Sequence, residues 1–214
     1  MAEKKKFHPI QIPLLNREIE LLGYGESDFE GRYVKLDLTN SLKGKALELK
    51  LRVKEEKGKI TASPVSAYLQ GLYIRRMIRK GTDYVEDSFL TQCKNHRIRI
   101  KPFLITRKGV PRKVKRGLRE KAKSEIIEYV KNKIFENLVL EIINNKLQKE
   151  LMPKLKKIYP LGLCEIRFIG IEDSKEHEKY EEEQKAEEKV TEEKQKEDTP
   201  NKEEKMKIKK HKKR

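Results

Sequence analysis

The chain has 214 residues, of which 41% are charged and 36% hydrophobic, and its formal net charge is +17. This length admits one good-sized domain or a domain with a tail, and the low hydrophobic fraction favours the second, because a core must come from part of the chain. No apolar run approaches the roughly 18 residues of a membrane-spanning helix, so we expect no membrane partner.

Positive charge is concentrated in the first part of the chain. Residues 1–171 carry a net charge of +18, whereas residues 172–214 carry −1. A folded region this basic attracts a polyanion, and counterion release from phosphates makes such binding strong and salt-dependent. Nucleic acid is therefore the predicted partner.

The N-terminus and the two cysteines indicate a cytoplasmic protein. No continuous apolar segment precedes Pro9 and Pro13, so the N-terminus does not resemble a secretory signal. Cys93 and Cys164 each lie in an apolar strand pattern. This pattern predicts buried free thiols rather than a disulfide framework or a metal site.

The beginning of the chain is predicted to be extended. Residues 1–30 start with Lys4, Lys5 and Lys6, contain two prolines, and are interpreted as an extended basic arm. From Gly31 onward, alternation of apolar and polar residues and the turn signal Lys57-Gly58 predict a three-stranded meander. Its strands are expected at Tyr33–Leu38, Ala46–Val53 and Lys59–Ser66.

A first basic cluster lies on a predicted helix, Val65–Lys80. Apolar residues at helical spacing occupy one arc, and Gly81 is the predicted C-cap. The opposite arc holds Arg75, Arg76, Arg79 and Lys80. Solvation and the helix dipole account for one or two of these cations, but not for four without acidic partners.

A hairpin is predicted next, with Tyr84–Cys93 and Arg97–Thr106 flanking Lys94-Asn95. In its second strand, basic residues that include Lys101 alternate with isoleucines, which predicts one buried and one cationic face. Glu86 and Asp87 are adjacent in the first strand. We therefore expect them to point to opposite faces and not to form a general acid/base pair.

A second basic cluster follows this hairpin. Residues 107–123 carry nine Lys or Arg against a single acid, and three residues, Gly109, Pro111 and Gly117, interrupt the run. An ordinary solvated loop and helix face is the alternative interpretation, but the shortage of neutralising acids favours an anion-binding surface. The candidate residues are Arg107, Lys108, Arg112, Lys113, Lys115, Arg116 and Arg119.

The remainder is predicted to be helical, with one closing strand. A stripe from Leu118 to Ile134 predicts a helix to about Glu141, with a second possible start near Phe135, and Asn144-Asn145 breaks it. A shorter helix follows, in which Pro153 should lie in the first turn or at a kink. The last elements are a strand at Leu163–Ile171 and a charged tail, 172–214, predicted to be disordered.

Signatures of catalysis are not visible in the sequence. It contains neither a P-loop nor a G-x-G-x-x-G motif, and its four histidines are dispersed without Cys or carboxylate neighbours at ligand spacing. We therefore predict no catalytic residue, no metal and no cofactor.

Four collinear segments resemble one protein family. LQGLYIRRMIRKG at Leu69–Gly81 resembles a helix of the archaeal and eukaryotic small-subunit ribosomal protein family S-one-e, formerly S-three-a-e. GRYVKLDL from Gly31, RIRIKPFLIT from Arg97, and KKIYPL with EIR between Lys156 and Arg167 match further family segments in the same order. The family's N-terminal Trp is absent, and Phe7 occupies the comparable place.

This resemblance implies a fold and a function. The fold is α+β, with a strongly curved, barrel-like, mainly antiparallel sheet flanked by helices, here in a globular RNA-binding domain at residues 31–171. The implied function is a non-catalytic constituent of the small ribosomal subunit that binds ribosomal RNA at the platform. The implied neighbours are the universal small-subunit protein eleven and messenger RNA near its exit channel.

Two other functions remain open from the sequence, an RNA-processing or RNA-modifying enzyme and a general DNA-compacting protein. An enzyme requires a concave site with convergent titratable groups, whereas a ribosomal protein requires only a basic surface. Under the ribosomal hypothesis, the candidate RNA-binding residues are Lys4 to Lys6, Lys101 and the two basic clusters. We predict that the two clusters converge on one face.

Overall fold

A computed structural model describes residues 4–56 and 59–172. The tail predicted at 172–214 lies outside the described residues, except for Glu172. The described part is an α+β fold, as predicted. Its strands are β1 (Lys6–Ile12), β2 (Arg17–Gly23), β3 (Tyr33–Asp37), β4 (Leu47–Glu56), β5 (Lys59–Leu69), β6 (Tyr84–Glu86), β7 (Phe89–Gln92), β8 (Arg97–Thr106) and β9 (Leu161–Ile171). Its α-helices are α1 (Gly71–Met77), α2 (Arg112–Val130), α3 (Phe135–Ile143) and α4 (Lys146–Lys156).

The strands of the described region form one mixed sheet. Its main path is β2-β1-β5-β9-β8-β6, with β4 also paired to β5, β3 to β4, and β7 to β8. Every pairing is antiparallel except that of β1 with β5. The path does not return on itself, so the mainly antiparallel sheet implied by the resemblance is present as an unclosed sheet.

The predicted meander β3-β4-β5 is confirmed. On β4, the alternate residues Leu49, Leu51 and Val53 are fully buried, whereas the intervening residues face outward. This alternation places one face of the sheet against the core, because side chains on a strand point to opposite faces in turn. The register shifts between Lys50 and Leu51, because their partners on β5, Ser66 and Pro64, are separated by the extra residue Val65.

The predicted hairpin is also confirmed, since β6 and β7 both pair with β8. The turn of this hairpin also forms hydrogen bonds with the start of α3, which the sequence did not predict. The Asn95 side chain accepts a hydrogen bond from the backbone N–H of Phe135 at 3.1 Å, and Lys94 N–H donates to the Lys133 carbonyl at 3.0 Å. The hairpin turn therefore satisfies a donor at the start of α3.

The predicted helix at Val65–Lys80 was wrong at both ends. β5 continues to Leu69, and only Gly71–Met77 is helical. Residues 66–69 pair with β4 on one side, and residues 66–68 pair with β9 on the other, so tertiary pairing overrides the local helical pattern. Gly81 is not a C-cap either. It has φ +83° in a turn in which Thr82 N–H donates to the Arg79 carbonyl.

Residues 6–12 and 17–23 are extended and pair as the hairpin β1-β2, which a short 3-10 helix at Pro13–Leu15 connects. Gln11 of β1 is in parallel register with Thr61 of β5, which joins this hairpin to the sheet. Ile10 and Ile12 are fully buried. The N-terminal segment therefore contributes apolar side chains to the core, a role that the prolines obscured in the sequence.

The helices bury their apolar stripes, but with different boundaries from those predicted. α2 ends at Val130, and Ile134, expected to extend its stripe, is 43% exposed at the N-cap of α3. Asn145 has φ +57° and separates α3 from α4, as predicted. Pro153 lies inside α4 and therefore not in the first turn, one of the two places predicted for it.

Both cysteines are buried free thiols, as predicted. Burial, with a smaller contribution from the neighbouring Glu165 carboxylate, raises the pKa of Cys164 to about 12. The Cys164 thiol therefore stays protonated at neutral pH.

Candidate nucleic-acid interface

α1 presents the first basic cluster on its exposed side. Ile74 is buried, and Tyr73 and Met77 pack against the core, so Arg75 and Arg76 are directed toward solvent. Arg79 and Lys80 follow in the exposed turn. The guanidinium of Arg76 lies 5.8 Å from the centroid of the Tyr73 ring. The apolar arc of α1 thus orients Arg75 and Arg76, as the sequence predicted, whereas Arg79 and Lys80 lie beyond the end of the helix.

The second basic cluster spans a short loop and the first turns of α2. Val110 is buried in the loop, and Leu118 anchors the helix in the core. The structure places Arg107 and Lys108 in the loop and the remaining five candidates in α2. No acidic residue occurs in the first turn of α2. Cations at a helix N-terminus add to the positive end of the helix dipole, so this end of α2 attracts anions.

Asp83 joins the two clusters. It lies three residues after Lys80, and its carboxylate accepts a hydrogen bond from Val110 N–H at 2.8 Å and pairs with Lys115 at 3.0 Å. Thr106 N–H donates to the Asp83 carbonyl, also at 2.8 Å. The Val110 hydrogen bond, and next the Lys115 contact, lower the pKa of Asp83 below its ordinary value. The structure therefore brings the turn after α1 beside the loop before α2.

Most of the basic side chains in these clusters have no acidic partner. Lys115 pairs with Asp83, and Arg116 pairs with Glu120 on the surface of α2 at 2.8 Å. Within residues 4–56 and 59–172, no acid forms an ion pair with the other exposed members. They are Arg75, Arg76, Arg79, Lys80, Arg107, Lys108, Arg112, Lys113 and Arg119. The local excess of positive charge is thus available to an external anion.

Lys101 and Arg119 share an open pocket of about 460 Å³ with Glu86, Asp87 and Ser88. The ammonium of Lys101 also lies 5.4 Å from the centroid of the Phe168 ring. β6 ends at Glu86, so Asp87 lies outside the strand alternation on which the prediction for these two acids rested. The Glu86 carboxylate pairs with Arg167, a surface cation that the sequence analysis did not select.

Lys4, Lys5 and Lys6 lie elsewhere. Lys6 precedes Gln11, which is level with Thr61 near the start of β5, whereas α1 follows the end of β5. At about 3.3 Å per residue, this register separates Lys6 from α1 by more than about 25 Å along the strands. Lys5 lies 5.2 Å from the centroid of the Tyr24 ring. The structure therefore does not bring these three lysines together with the two clusters.

Two further features bear on other functions. In the described ranges, no group of three or more His, Cys, Asp or Glu residues could hold a metal ion. No helix found there is long and apolar enough to cross a membrane.

Comparison with known proteins adds the family. The model of the ribosomal S3Ae family matches residues 25–173, which include all four segments of the resemblance. No curated protein matches the chain. Because the family model covers well over half of the sequence, the chain belongs to the ribosomal S3Ae family and is a protein of the small ribosomal subunit.

Proposed function

We propose that this protein binds small-subunit ribosomal RNA at the platform, near the exit of messenger RNA, through the two basic clusters. One observation carries the proposal. Asp83 holds together two cationic segments from different parts of the chain, while most of their cations remain without an acidic partner in the described region. Family membership supports ribosomal RNA as the polyanion.

The interface suits phosphates more than base edges. Guanidinium groups bind phosphate oxygens with two hydrogen bonds, and the free N–H groups at the start of α2 add further donors. Such contacts fix the orientation of the protein, whereas the irregular shape of folded RNA provides selectivity. Lys101 extends the interface along β8, and Lys4, Lys5 and Lys6 form a separate contact.

Family membership points to a structural, non-enzymatic role. The geometry near Lys101 agrees with this role. Glu86 is engaged with Arg167, and Asp87 accepts a hydrogen bond from Ser88 N–H at 2.9 Å. The two carboxylates are thus occupied by protein groups, and no observation favours the alternative of an RNA-processing or RNA-modifying enzyme.

The proposed neighbours are the universal small-subunit protein eleven and messenger RNA. Both proposals rest on the family resemblance. Photo-crosslinking from a reactive amino acid at Leu72, an exposed residue of α1, tests them in assembled subunits. We expect crosslinks to platform RNA and to protein eleven, and to messenger RNA in subunits that carry it. Crosslinks confined to another region of the subunit would reject this placement.

The main experiment reverses four charges. Arg75, Arg79, Arg112 and Arg116 are changed to Glu, and incorporation into small subunits is measured by sedimentation. We expect incorporation to be lost while the fold persists, because substitutions at solvated surface sites change stability by only about 0.5 kcal/mol each. Co-sedimentation at the wild-type level would reject the proposed interface.

A matched control reverses four exposed cations elsewhere, Arg17, Lys94, Lys131 and Lys149. This variant has the same net charge as the first, so any difference between them reports position and not total charge. We expect it to be incorporated substantially better than the first variant.

A second experiment separates geometry from charge. Changing Asp83 to Ala removes an acid, so electrostatics alone predicts tighter binding of RNA. If Asp83 positions the loop before α2, the same change should weaken binding several-fold, because Val110 N–H and Lys115 lose their partner. Tighter binding would show that Asp83 does not organise the interface.

A further inference from the structure

The outer face of the meander β3-β4-β5 divides into an acidic end and a basic end. Asp37 and Glu48 are directly opposite each other at the end toward α1. Asp37 accepts hydrogen bonds from Thr39, and Glu48 pairs with Lys35 at 4.0 Å. At the other end, Tyr33 lies opposite Arg52, which in turn lies opposite Ser63.

An exposed aromatic ring is the centre of this basic end. Tyr33 is 47% exposed, and the Lys50 ammonium lies 4.3 Å from its ring centroid. The Arg52 guanidinium lies 6.0 Å from the same centroid. We call Tyr33, Lys50, Arg52 and Lys54 the Tyr33 patch. No acid in the part of the chain that the structure describes forms an ion pair with its three cations.

The spacing of these cations follows from the strand. Lys50, Arg52 and Lys54 alternate with buried residues along β4 and face the same side of the sheet. Side chains on one face of a strand recur about every 6.6 Å. This repeat is close to the distance between consecutive phosphates in an extended RNA strand.

We propose that the Tyr33 patch binds single-stranded RNA, with a base stacked on Tyr33 and the phosphates on Lys50, Arg52 and Lys54. An exposed ring beside a row of cations is the arrangement by which sheet surfaces hold unpaired nucleotides. Bases in a duplex are already stacked on one another, so the ring discriminates against double-stranded RNA. Lys50 and Arg52 form no ion pair with an acid of the described region. Their side chains can therefore move from the Tyr33 ring to the phosphates of a bound RNA.

This surface is distinct from the interface proposed above. Tyr33 is level with Ser63, whereas α1 begins after Leu69, the last residue of β5. Six strand residues correspond to about 20 Å. The Tyr33 patch therefore binds RNA independently of the two basic clusters.

The test measures binding of a labelled ten-nucleotide oligouridine by the full-length chain, using fluorescence anisotropy. We expect Tyr33→Ala to lower the affinity about tenfold and Tyr33→Phe to change it less than twofold, because stacking needs only the ring. Arg52→Ala should reduce the salt slope by about 0.7, the value for one phosphate contact on a single strand.

Two controls define the result. Phe7→Ala removes a ring that is 68% exposed and has no cation over it in the described region, and it should change the affinity less than twofold. The four-charge variant of Arg75, Arg79, Arg112 and Arg116 should retain oligouridine binding that still depends on Tyr33. This last control separates failure of the Tyr33 patch from failure of the platform interface.

The proposal is overturned if Tyr33→Ala and wild type bind oligouridine equally. It is also overturned if Tyr33→Ala weakens binding of an RNA hairpin duplex as much as binding of oligouridine, or if the four-charge variant no longer binds oligouridine. Circular dichroism verifies folding of each variant. Should Tyr33→Ala prove unfolded, Arg52→Ala decides the question, and an unchanged salt slope rejects the proposal.

Discussion

The two halves of α2 use their basic residues differently. In the second half, Lys121 donates to the Glu125 carboxylate at 2.7 Å, and Lys154 of α4 donates to it at 2.5 Å. In the first half, Arg112 and Arg119 face solvent, with no acidic partner among the described residues. Lys121 therefore stabilises the fold, while Arg112 and Arg119 are available to a partner. Net charge alone does not distinguish these two roles.

Lys45 is the extreme case of a cation that serves the fold. Its side chain is 8% exposed, and its ammonium contacts Glu165 of β9 at 2.7 Å and Asn145 at 2.5 Å. Gln148 of α4 donates to the same Glu165 carboxylate at 3.2 Å. Loop, strand and helix thus meet at one buried ion pair. Cations of this protein thus fall into two classes, those that stabilise the fold and those that are available to RNA.

The largest expected effect follows from changing Lys45 to Met. This leaves the buried Glu165 carboxylate without its cation, so the free energy of unfolding should fall by about 3–5 kcal/mol. Urea denaturation measures the change. Replacing Glu165 by Leu in the same chain should recover part of the loss, because no buried charge then remains. A loss below about 1 kcal/mol in Lys45→Met would contradict this role.

An intermediate effect is expected for Glu125→Gln. Hydrogen bonds from Lys121, and next from Lys154, hold the pKa of Glu125 below its ordinary value of 4.5. A lowered carboxyl pKa stabilises the fold above the unfolded-state pKa, and this stabilisation disappears as pH falls through the folded-state pKa. At pH 7 the variant should therefore be less stable by about 1–2 kcal/mol.

The pH dependence provides the control for this second prediction. Stabilities of wild type and Glu125→Gln should converge as pH is lowered below 4.5, which thermal melts at several pH values will show. Glu128→Gln, an exposed change in the same helix, should follow wild type. A gap between wild type and Glu125→Gln that is constant with pH would show that the carboxylate is not the stabilising species.

The smallest expected effect has the opposite sign. Arg112 is the first residue of α2, where a cation opposes the helix dipole. Arg112→Glu should raise the free energy of unfolding by about 0.3–1 kcal/mol while it weakens RNA binding. Arg119→Glu, more than one turn further along, should give no such gain. A destabilising effect of Arg112→Glu would mean that Arg112 supports the fold.

Much of the fold was predictable because local patterns determined it. Alternation identified the meander, and the spacing from Leu118 to Val130 identified α2. The end of β5 was not predictable, because Leu69 fits both the strand alternation and the helical spacing toward Tyr73. The pairing of β1 with β5 and the Lys45–Glu165 ion pair were also missed, since both join residues distant in sequence.

The candidate interface was likewise predictable only in part. The sequence identified the cations, because their excess over acids is a local property. It did not identify Asp83, whose contacts with Val110 and Lys115 cross 27 or more residues. A single acid between two basic segments is the signal that could have found it. The sequence also could not separate Arg112 from Lys121, because both are basic residues of one helix.

The most direct test of these two classes compares the salt dependence of RNA binding for two variants of one helix, Arg112→Ala and Lys121→Ala. Affinity for a platform fragment of small-subunit ribosomal RNA is measured over a range of salt concentrations. Arg112→Ala should reduce the slope of log affinity against log salt by about one unit, the value for one lost phosphate contact, and Lys121→Ala should leave it unchanged. Equal changes in the two variants would contradict the division of α2 into fold-serving and RNA-binding cations.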